Sequence, residues 1–150
     1  MIENNFKSSK KNYYRNIKEL IEINIVEVKK NEISSNYHTL MTYFNVGKIL
    51  IEAQGGKKRA KYGTSLIKTY STKLSKDYGK FYSIKNLELM RQMALILPIA
   101  NTLYSQLNWS LIKVLLPIKD TSKRNYYLNS CIEHNFRHTT YKINKNRGIL

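Results

Sequence analysis

Cysteine, proline and glycine are scarce in this chain of 150 residues, which holds one cysteine, two prolines and six glycines. The single cysteine, Cys131, cannot form an internal disulfide, which excludes a disulfide-stapled fold and leads us to expect a cytoplasmic protein. So few helix breakers are compatible with long helices, and no segment alternates apolar and polar residues as a half-buried strand does. The sequence therefore predicts an all-α, compact multi-helix domain.

Long apolar runs are also missing. No stretch approaches the roughly 18 apolar residues that cross a bilayer, and the N-terminal MIENNFKSSKKNYY lacks the apolar core of a secretory signal, so we expect no membrane partner. The composition, 42% hydrophobic and 24% charged, is that of a globular chain with one core. We predict a flexible basic arm over residues 1–12 and a basic tail over 137–150, where four basic residues and no acid occur.

Catalytic constellations are equally hard to find. The sequence has no Gly-rich phosphate loop, no nucleophile elbow and no Ser/His/Asp set. A PD-(D/E)XK nuclease centre gathers acidic residues around a divalent cation, but the one fitting tripeptide, Glu27-Val28-Lys29, has no aspartate before it and lies in a helix pattern. The spacing of Cys131, His134 and His138 suits zinc, yet no second cysteine completes the usual ligands. We predict no enzymatic activity, no metal and no cofactor.

Acidic residues become scarce beyond Gly56, and this sets the charge of the molecule. Up to Gly56 the chain has eight Lys and Arg against six Asp and Glu; from Lys57 onward it has eighteen against four, and the formal net charge is +16. A field this positive attracts polyanions, which favours nucleic acid, and duplex DNA in particular, as the partner. The alternatives are an acidic protein partner and the coding bias of an AT-rich genome, which also enriches Lys, Asn, Ile and Tyr.

Apolar residues at helical spacing predict six helices. Gly47 lies inside the second helix, where glycine costs about 1 kcal/mol relative to alanine, and it indicates that another backbone packs closely there. The inward positions expected are Ile17, Leu20, Ile21, Ile25 and Val28 in the first helix, and Ile84, Leu87, Met90, Ala94 and Leu97 in the fourth. The helices are predicted from Tyr13 to the break at Asn31, from Ser35 or Asn36 to Gly55, and over 64–77 and 83–97. A short helix is predicted from Trp109 to Leu116, started by Asn108 or by Ser110, and Asp120 is predicted to cap the last helix.

One corner of this helical chain is typical of a helix-turn-helix. The stretch KDYGKFYSIKNLELMRQMA, residues 76–94, ends one helix at Tyr78-Gly79 and starts the next at Ser83. In that motif the N-terminal residues of the second helix lie near the bases of the major groove. Two packed helices joined by a glycine corner give the same pattern, and the aromatic residues of the corner, Tyr78, Phe81 and Tyr82, either stack on bases or pack the corner.

Two segments supply the residues that we predict to bind DNA. The loop GGKKRAKYG holds four cations and no acid, which makes it a candidate phosphate-binding element, although most such charge runs are simply solvated. The corner and the outward face of the helix after it carry side chains that suit guanine and adenine edges. The candidate set is Lys57, Lys58, Arg59, Lys61, Lys80, Ser83, Lys85, Asn86, Glu88, Arg91 and Gln92.

The chain also resembles a known family. Its shared residues follow in order: Tyr43-Phe44-Asn45-Val46-Gly47, Gln54, Tyr62-Gly63, Leu74, Tyr78-Gly79, Ser83-Ile84-Lys85-Asn86-Leu87-Glu88-Leu89-Met90-Arg91, Leu107-Asn108-Trp109-Ser110 and Arg124-Asn125-Tyr126-Tyr127-Leu128. Over roughly residues 13–136 this resembles the helical N-terminal domain of YhcG-type proteins, which precedes a PD-(D/E)XK nuclease domain in full-length members. The resemblance implies a domain that binds DNA for the attached nuclease. A nuclease and a second copy of the chain are further expected partners.

The departures from that family concern the corner and the end of the chain. Phe81-Tyr82 stands where the family has Gly-Phe before the serine, and Leu111 replaces the histidine that follows Trp-Ser. Beyond Phe136 the next helix of the family is not recognisable, and no nuclease domain follows. We therefore predict a stand-alone or truncated first domain that binds DNA without enzymatic activity. The alternative is a protein-interaction module or a remnant of such a nuclease.

Overall fold

The computed structural model of the protein describes residues 12–30, 35–56, 64–97 and 107–134. This part of the chain holds six α-helices and no strand, which confirms the all-α prediction, and none of its helices is long and apolar enough to span a bilayer. The predicted basic tail lies outside the described residues, as does the predicted arm up to residue 11. The helices are α1 (Tyr13–Lys30), α2 (Ser35–Ala53), α3 (Thr64–Tyr78), α4 (Ile84–Ile96), α5 (Trp109–Leu115) and α6 (Thr121–His134), with a 3-10 turn, Lys80–Tyr82, between α3 and α4.

The core forms around α2, which packs against both α1 and α4. Each of these helices has an apolar stripe that can leave water only against the others, and this burial drives the packing. The 3-10 turn and α3 pack beside α4, and α5 contacts α6. Fully buried aliphatic and methionine side chains include Ile17 and Ile21 of α1, Leu40 and Leu50 of α2, Leu74 of α3, Leu87, Met90 and Met93 of α4, and Leu111 and Leu115 of α5.

Gly47 brings the backbones of α2 and α4 together. A Cβ atom added at Gly47 would collide with the carbonyl oxygen of Met90, and it would lie 2.7 Å from the carbonyl carbon of Met90 and 3.0 Å from the Cβ of Ala94. Real Cβ atoms do not approach a carbonyl carbon so closely. The close approach predicted from this glycine is therefore confirmed.

Local hydrogen bonds fix where several helices begin and end. Ser83 Oγ accepts from the amide of Asn86 at 3.2 Å, Asn108 Oδ1 accepts from the amide of Leu111 at 2.8 Å, and Asp120 Oδ1 accepts from the amide of Lys123 at 3.1 Å. Each satisfies an amide that has no partner inside its helix. At the end of α2 the chain turns through Gly55 and Gly56, whose φ values of 86° and 97° favour glycine.

Two positions expected to face inward are exposed instead. Ile25 in α1 is 41% exposed and Ile84 in α4 is 39% exposed. A step of four residues advances about 40° beyond a full helical turn, so Ile25 lies past the edge of the stripe formed by Ile17 and Ile21. A step of three residues falls about 60° short of a full helical turn. The two such steps from Ile84 through Leu87 to Met90 add up to about 120°, so Ile84 lies outside the buried stripe that contains Met90. Both predictions were wrong because they ignored this drift.

Candidate nucleic-acid interface

The corner between α3 and α4 is fixed by hydrogen bonds to α3. Gly79 adopts φ 99° and ψ 177°, a conformation that side-chain-bearing residues rarely adopt. After the turn, the carbonyl oxygen of Tyr82 accepts from Ser71 Oγ at 2.8 Å and from Ser75 Oγ at 3.2 Å. Two serines one helical turn apart on α3 thus hold the chain that leads into α4. These two bonds fix the start of α4 relative to α3.

The aromatic residues of the corner pack inside the protein. Phe81 stacks on Tyr43 of α2 with ring centroids 5.1 Å apart and planes at 27°, and it meets Tyr82 edge-on at 5.2 Å. Trp109 of α5 joins the cluster edge-on to Tyr43 at 5.1 Å. Burial raises the pKa of Tyr82 to about 12, which keeps its phenol protonated. Of the two predictions for these rings, corner packing is the one that the geometry supports.

The first turns of α4 remain open to solvent. Lys80 in the 3-10 turn and both Lys85 and Glu88 in α4 are exposed, as predicted for side chains that reach a partner. Ser83 and Asn86 are half-buried, because Ser83 caps the helix and Asn86 Nδ2 donates to the carbonyl oxygen of Phe81 at 2.7 Å. These two side chains stabilise the corner, and the cations beside them are free to face a ligand.

Arg91 and Gln92 do not belong to the outward row. Arg91 Nε donates to Gln54 Oε1 at the end of α2, and Gln92 Nε2 donates to the carbonyl oxygen of Leu116 at 3.2 Å. Their placement as outward-pointing side chains was wrong, because the ends of α2 and α5 cover this part of α4. Among the side chains that we expected to project from the second helix of the motif, the structure exposes Lys85 and Glu88.

The predicted phosphate-binding loop cannot be placed beside the corner. Lys57, Lys58, Arg59 and Lys61 all lie outside the described residues. Their assignment as DNA-binding residues stays a prediction.

A row of lysines on α3 was missing from the predicted set. Lys68 and Lys76 are exposed on the side of α3 opposite to Ile67, Tyr70 and Leu74, and Ser65, Thr69 and Thr72 lie between them. Lys73 is exposed on the flank of α3 beside α1, where its Nζ lies 5.1 Å from the ring centroid of Tyr14. We call these six residues the lysine face. The sequence contained the signal, because the buried stripe of α3 already implied which residues point away from the core.

One acidic residue borders the lysine face, and it is paired. Asp77 Oδ2 lies 3.7 Å from Lys18 Nζ of α1. Next to it, the hydroxyl of Tyr78 donates to Glu22 Oε2 of α1 at 2.8 Å, and burial together with this carboxylate raises the pKa of Tyr78. Both contacts join α3 to α1, and the ion pair with Lys18 partly balances the charge of Asp77.

The catalytic alternatives find no support in the geometry of the described residues. Glu27 and Lys29 are two positions apart on α1, so their side chains diverge by about 200° and do not converge on one ion. Cys131 is buried, and this burial raises the pKa of its thiol to about 11. The side chain of His134 and all of His138 lie outside the described part of the chain.

Comparison with known proteins agrees with the resemblance seen in the sequence. The profile of the DUF1016 N-terminal domain matches residues 16–148, a range that extends past residue 136. The protein of Escherichia coli (strain K12) named "Putative nuclease YhcG" is 39% identical over 72 residues, which cover 46% of this chain and 19% of that protein. The match thus spans about a fifth of the length of that relative. No solved structure matches the chain.

Proposed function

Because the chain belongs to the family of DUF1016 N-terminal domains, we propose that it is a DNA-binding domain without catalytic activity of its own. It holds duplex DNA against the lysine face of α3, the 3-10 turn and the exposed start of α4. The observation that carries this proposal is the set of exposed lysines on these neighbouring elements, Lys68, Lys73, Lys76, Lys80 and Lys85.

Phosphate groups are the ligands that these side chains suit. Lysine ammonium groups bind phosphate as point charges, and serine and threonine hydroxyls donate to phosphate oxygens. On the lysine face, Thr69 and Thr72 donate their hydroxyls to backbone carbonyl oxygens of α3, so its lysines are the groups that suit phosphate. The acid at the edge of the face is already paired with Lys18. Most of the formal charge of +16 comes from residues beyond Gly56, so the long-range field also favours approach of a polyanion to this half of the chain.

Few exposed side chains are placed to contact the edges of bases. The second helix of a helix-turn-helix places its N-terminal residues near base edges, and here Lys85 and Glu88 are the exposed polar side chains in that position. Lysine donates to guanine and glutamate accepts from the amino group of cytosine. With Arg91 and Gln92 bonded internally, we expect strong binding to DNA of any sequence and a weak sequence preference. This suits a domain that supplies affinity to a neighbouring nuclease, the activity named for its E. coli relative.

Fluorescence-anisotropy titration of a labelled duplex, at about 50 mM and about 200 mM salt, tests this function. Each phosphate neutralised contributes about 0.9 to the slope of log affinity against log salt. We expect the double reversal Lys76→Glu with Lys80→Glu to weaken binding at least tenfold at the lower salt and to reduce the slope by about 1.8.

The matched control reverses two exposed lysines elsewhere, Lys48→Glu in α2 with Lys113→Glu in α5, which changes the net charge by the same amount. We expect a smaller loss and a nearly unchanged slope, because neither lysine belongs to the proposed surface and their charges act only through the screened field. An affinity that does not change with salt, or an equal loss for both pairs, contradicts the proposal. Single-stranded DNA of the same length, titrated in parallel, shows which form is preferred.

A further inference from the structure

Ile84 begins α4 with an aliphatic side chain that is 39% exposed, on the surface proposed above for DNA. It follows Lys80 by four residues and directly precedes Lys85, and both lysines are exposed. Glu88, one helical turn further along α4, is exposed as well. An apolar side chain thus lies among charged ones at the point where the second helix of a helix-turn-helix approaches the bases.

The packing of α4 does not explain an isoleucine at this position. Ser83 caps the helix with its own side chain. The apolar contact that often spans a helix start joins the residue before the cap to the fourth residue of the helix. In α4 these positions are Tyr82 and Leu87, which are both buried. The exposed part of Ile84 has no role in either device and is available to a ligand.

The direction in which Ile84 points follows from the buried stripe of α4. This stripe extends from Leu87 to Met93, on the side of the helix opposite to Lys85 and Glu88. At about 100° per residue, Glu88 lies about 40° from Ile84 around the axis, and Lys85 lies about 60° beyond Glu88. A ligand laid along the outer side of α4 would therefore contact all three side chains.

We propose that Ile84 contacts the C5-methyl group of thymine in the major groove and gives the domain a weak preference for thymine at that position. This inference rests on the proposed function, because it requires duplex DNA to lie on the start of α4. The thymine methyl is the apolar group on the major-groove edges of the base pairs, and apolar side chains are the ones that contact it. Ile84 is the exposed apolar side chain at the start of this helix.

The charge of Glu88 favours the groove over the phosphate backbone for this side of α4. A carboxylate accepts hydrogen bonds and is repelled by phosphate, whereas the major groove offers the amino groups of cytosine and adenine as donors. Ile84 lies one turn from Glu88 on the same side and would reach the groove with it. The minor groove presents no methyl group, so a response to the thymine methyl also distinguishes the two grooves.

Replacement of thymine by deoxyuridine tests this contact, because deoxyuridine pairs with adenine in the same way and lacks only the C5-methyl group. Fluorescence anisotropy, at about 100 mM salt, compares a labelled duplex rich in A·T pairs with the same duplex carrying deoxyuridine at every thymine. The unchanged chain should bind the deoxyuridine duplex about fourfold more weakly, which is the loss expected for one buried methyl group. Ile84→Ala should lose at least this factor on the thymine duplex and should bind both duplexes equally.

Ile23→Ala is the matched control, because Ile23 is an exposed isoleucine of α1 that lies outside the proposed DNA surface. It should bind each duplex as the unchanged chain does. Equal binding of the two duplexes by the unchanged chain overturns the thymine contact. So does a loss on deoxyuridine that Ile84→Ala shares in full, because that loss would come from the shape of the duplex.

The outcomes also separate this inference from the proposed function. If the unchanged chain binds both duplexes equally and its affinity still falls steeply with salt, DNA binding stands and the thymine contact is wrong. If it binds neither duplex, both proposals are wrong. Circular dichroism of each variant shows whether its helices are intact, and the comparison of the two duplexes with the unchanged chain needs no variant.

Discussion

Two buried or half-buried arginines, Arg124 and Arg91, tie helices of this domain together. Arg124 is 5% exposed, and its Nη1 and Nη2 atoms donate to the carbonyl oxygens of Ile118 at 2.7 Å and Ile96 at 3.3 Å. This arginine closes the end of α4 against the start of α6. Arg91 joins α4 to α2 in a similar way. These two positively charged side chains therefore stabilise the fold. We expect their substitution to lower stability, so a loss of binding in such a variant would not identify them as contacts to a partner.

Gly47 is the position where adding a Cβ atom should most affect stability. In an exposed helix a change from glycine to alanine stabilises by about 1 kcal/mol. Here we expect Gly47→Ala to destabilise by about 1 to 3 kcal/mol, because the new Cβ would collide with the carbonyl oxygen of Met90 and force α2 and α4 apart. Urea unfolding followed by circular dichroism measures the change.

Lys48→Ala, at the adjacent exposed position of α2, is its control and should change the free energy of unfolding by less than about 0.5 kcal/mol. A Gly47→Ala variant more stable than the unchanged chain would show that the helices do not approach so closely.

At the scale of the helix, Ser83 has two roles that can be separated. Its side chain caps α4, and it lies between Lys80 and Lys85 of the proposed DNA surface. Ser83→Ala should lower the free energy of unfolding by about 1 kcal/mol, because the amide of Asn86 loses its acceptor. Ser83→Asp keeps a good cap and should preserve stability, but its added charge should weaken DNA binding several-fold.

Thermal unfolding and the anisotropy titration, applied to both variants, measure these effects. Ser83→Asn, a neutral cap, should preserve both properties. If Ser83→Asp binds DNA as well as Ser83→Asn does, the start of α4 is not near phosphate.

The helices themselves could be predicted from the sequence because their signals are local. Ser83, Asn108 and Asp120 cap the amides that follow them by three residues, and each was recognisable without any tertiary contact. The outward face of α4 could not be predicted in the same way. Arg91 bonds to Gln54, 37 positions away, and Gln92 bonds to the carbonyl of Leu116, 24 positions away. Tertiary packing decides which side of an amphipathic helix is covered by a segment distant in sequence. The apolar periodicity of the helix alone carries no information about that contact.

At the scale of the whole molecule, net charge opposes folding while it favours a polyanionic partner. A formal charge of +16 on 150 residues repels itself in the compact state, and salt screens this repulsion. The Debye length falls from about 30 Å at 0.01 M salt to about 10 Å at 0.1 M salt. At the higher concentration the repulsion between surface lysines farther apart than this length is largely screened. Stability and DNA affinity should therefore respond to salt with opposite signs.

We expect the melting temperature to rise by several degrees between about 10 mM and about 200 mM sodium chloride, measured by differential scanning fluorimetry in a dilute buffer. The variants Lys76→Glu with Lys80→Glu and Lys48→Glu with Lys113→Glu each lower the formal charge from +16 to +12, so both should flatten this rise to a similar extent. The first pair should in addition lose DNA affinity, because it alone removes lysines from the proposed surface. A melting temperature that falls with salt, or a flattening confined to one pair, would mean that local ion pairs rather than the net charge control stability.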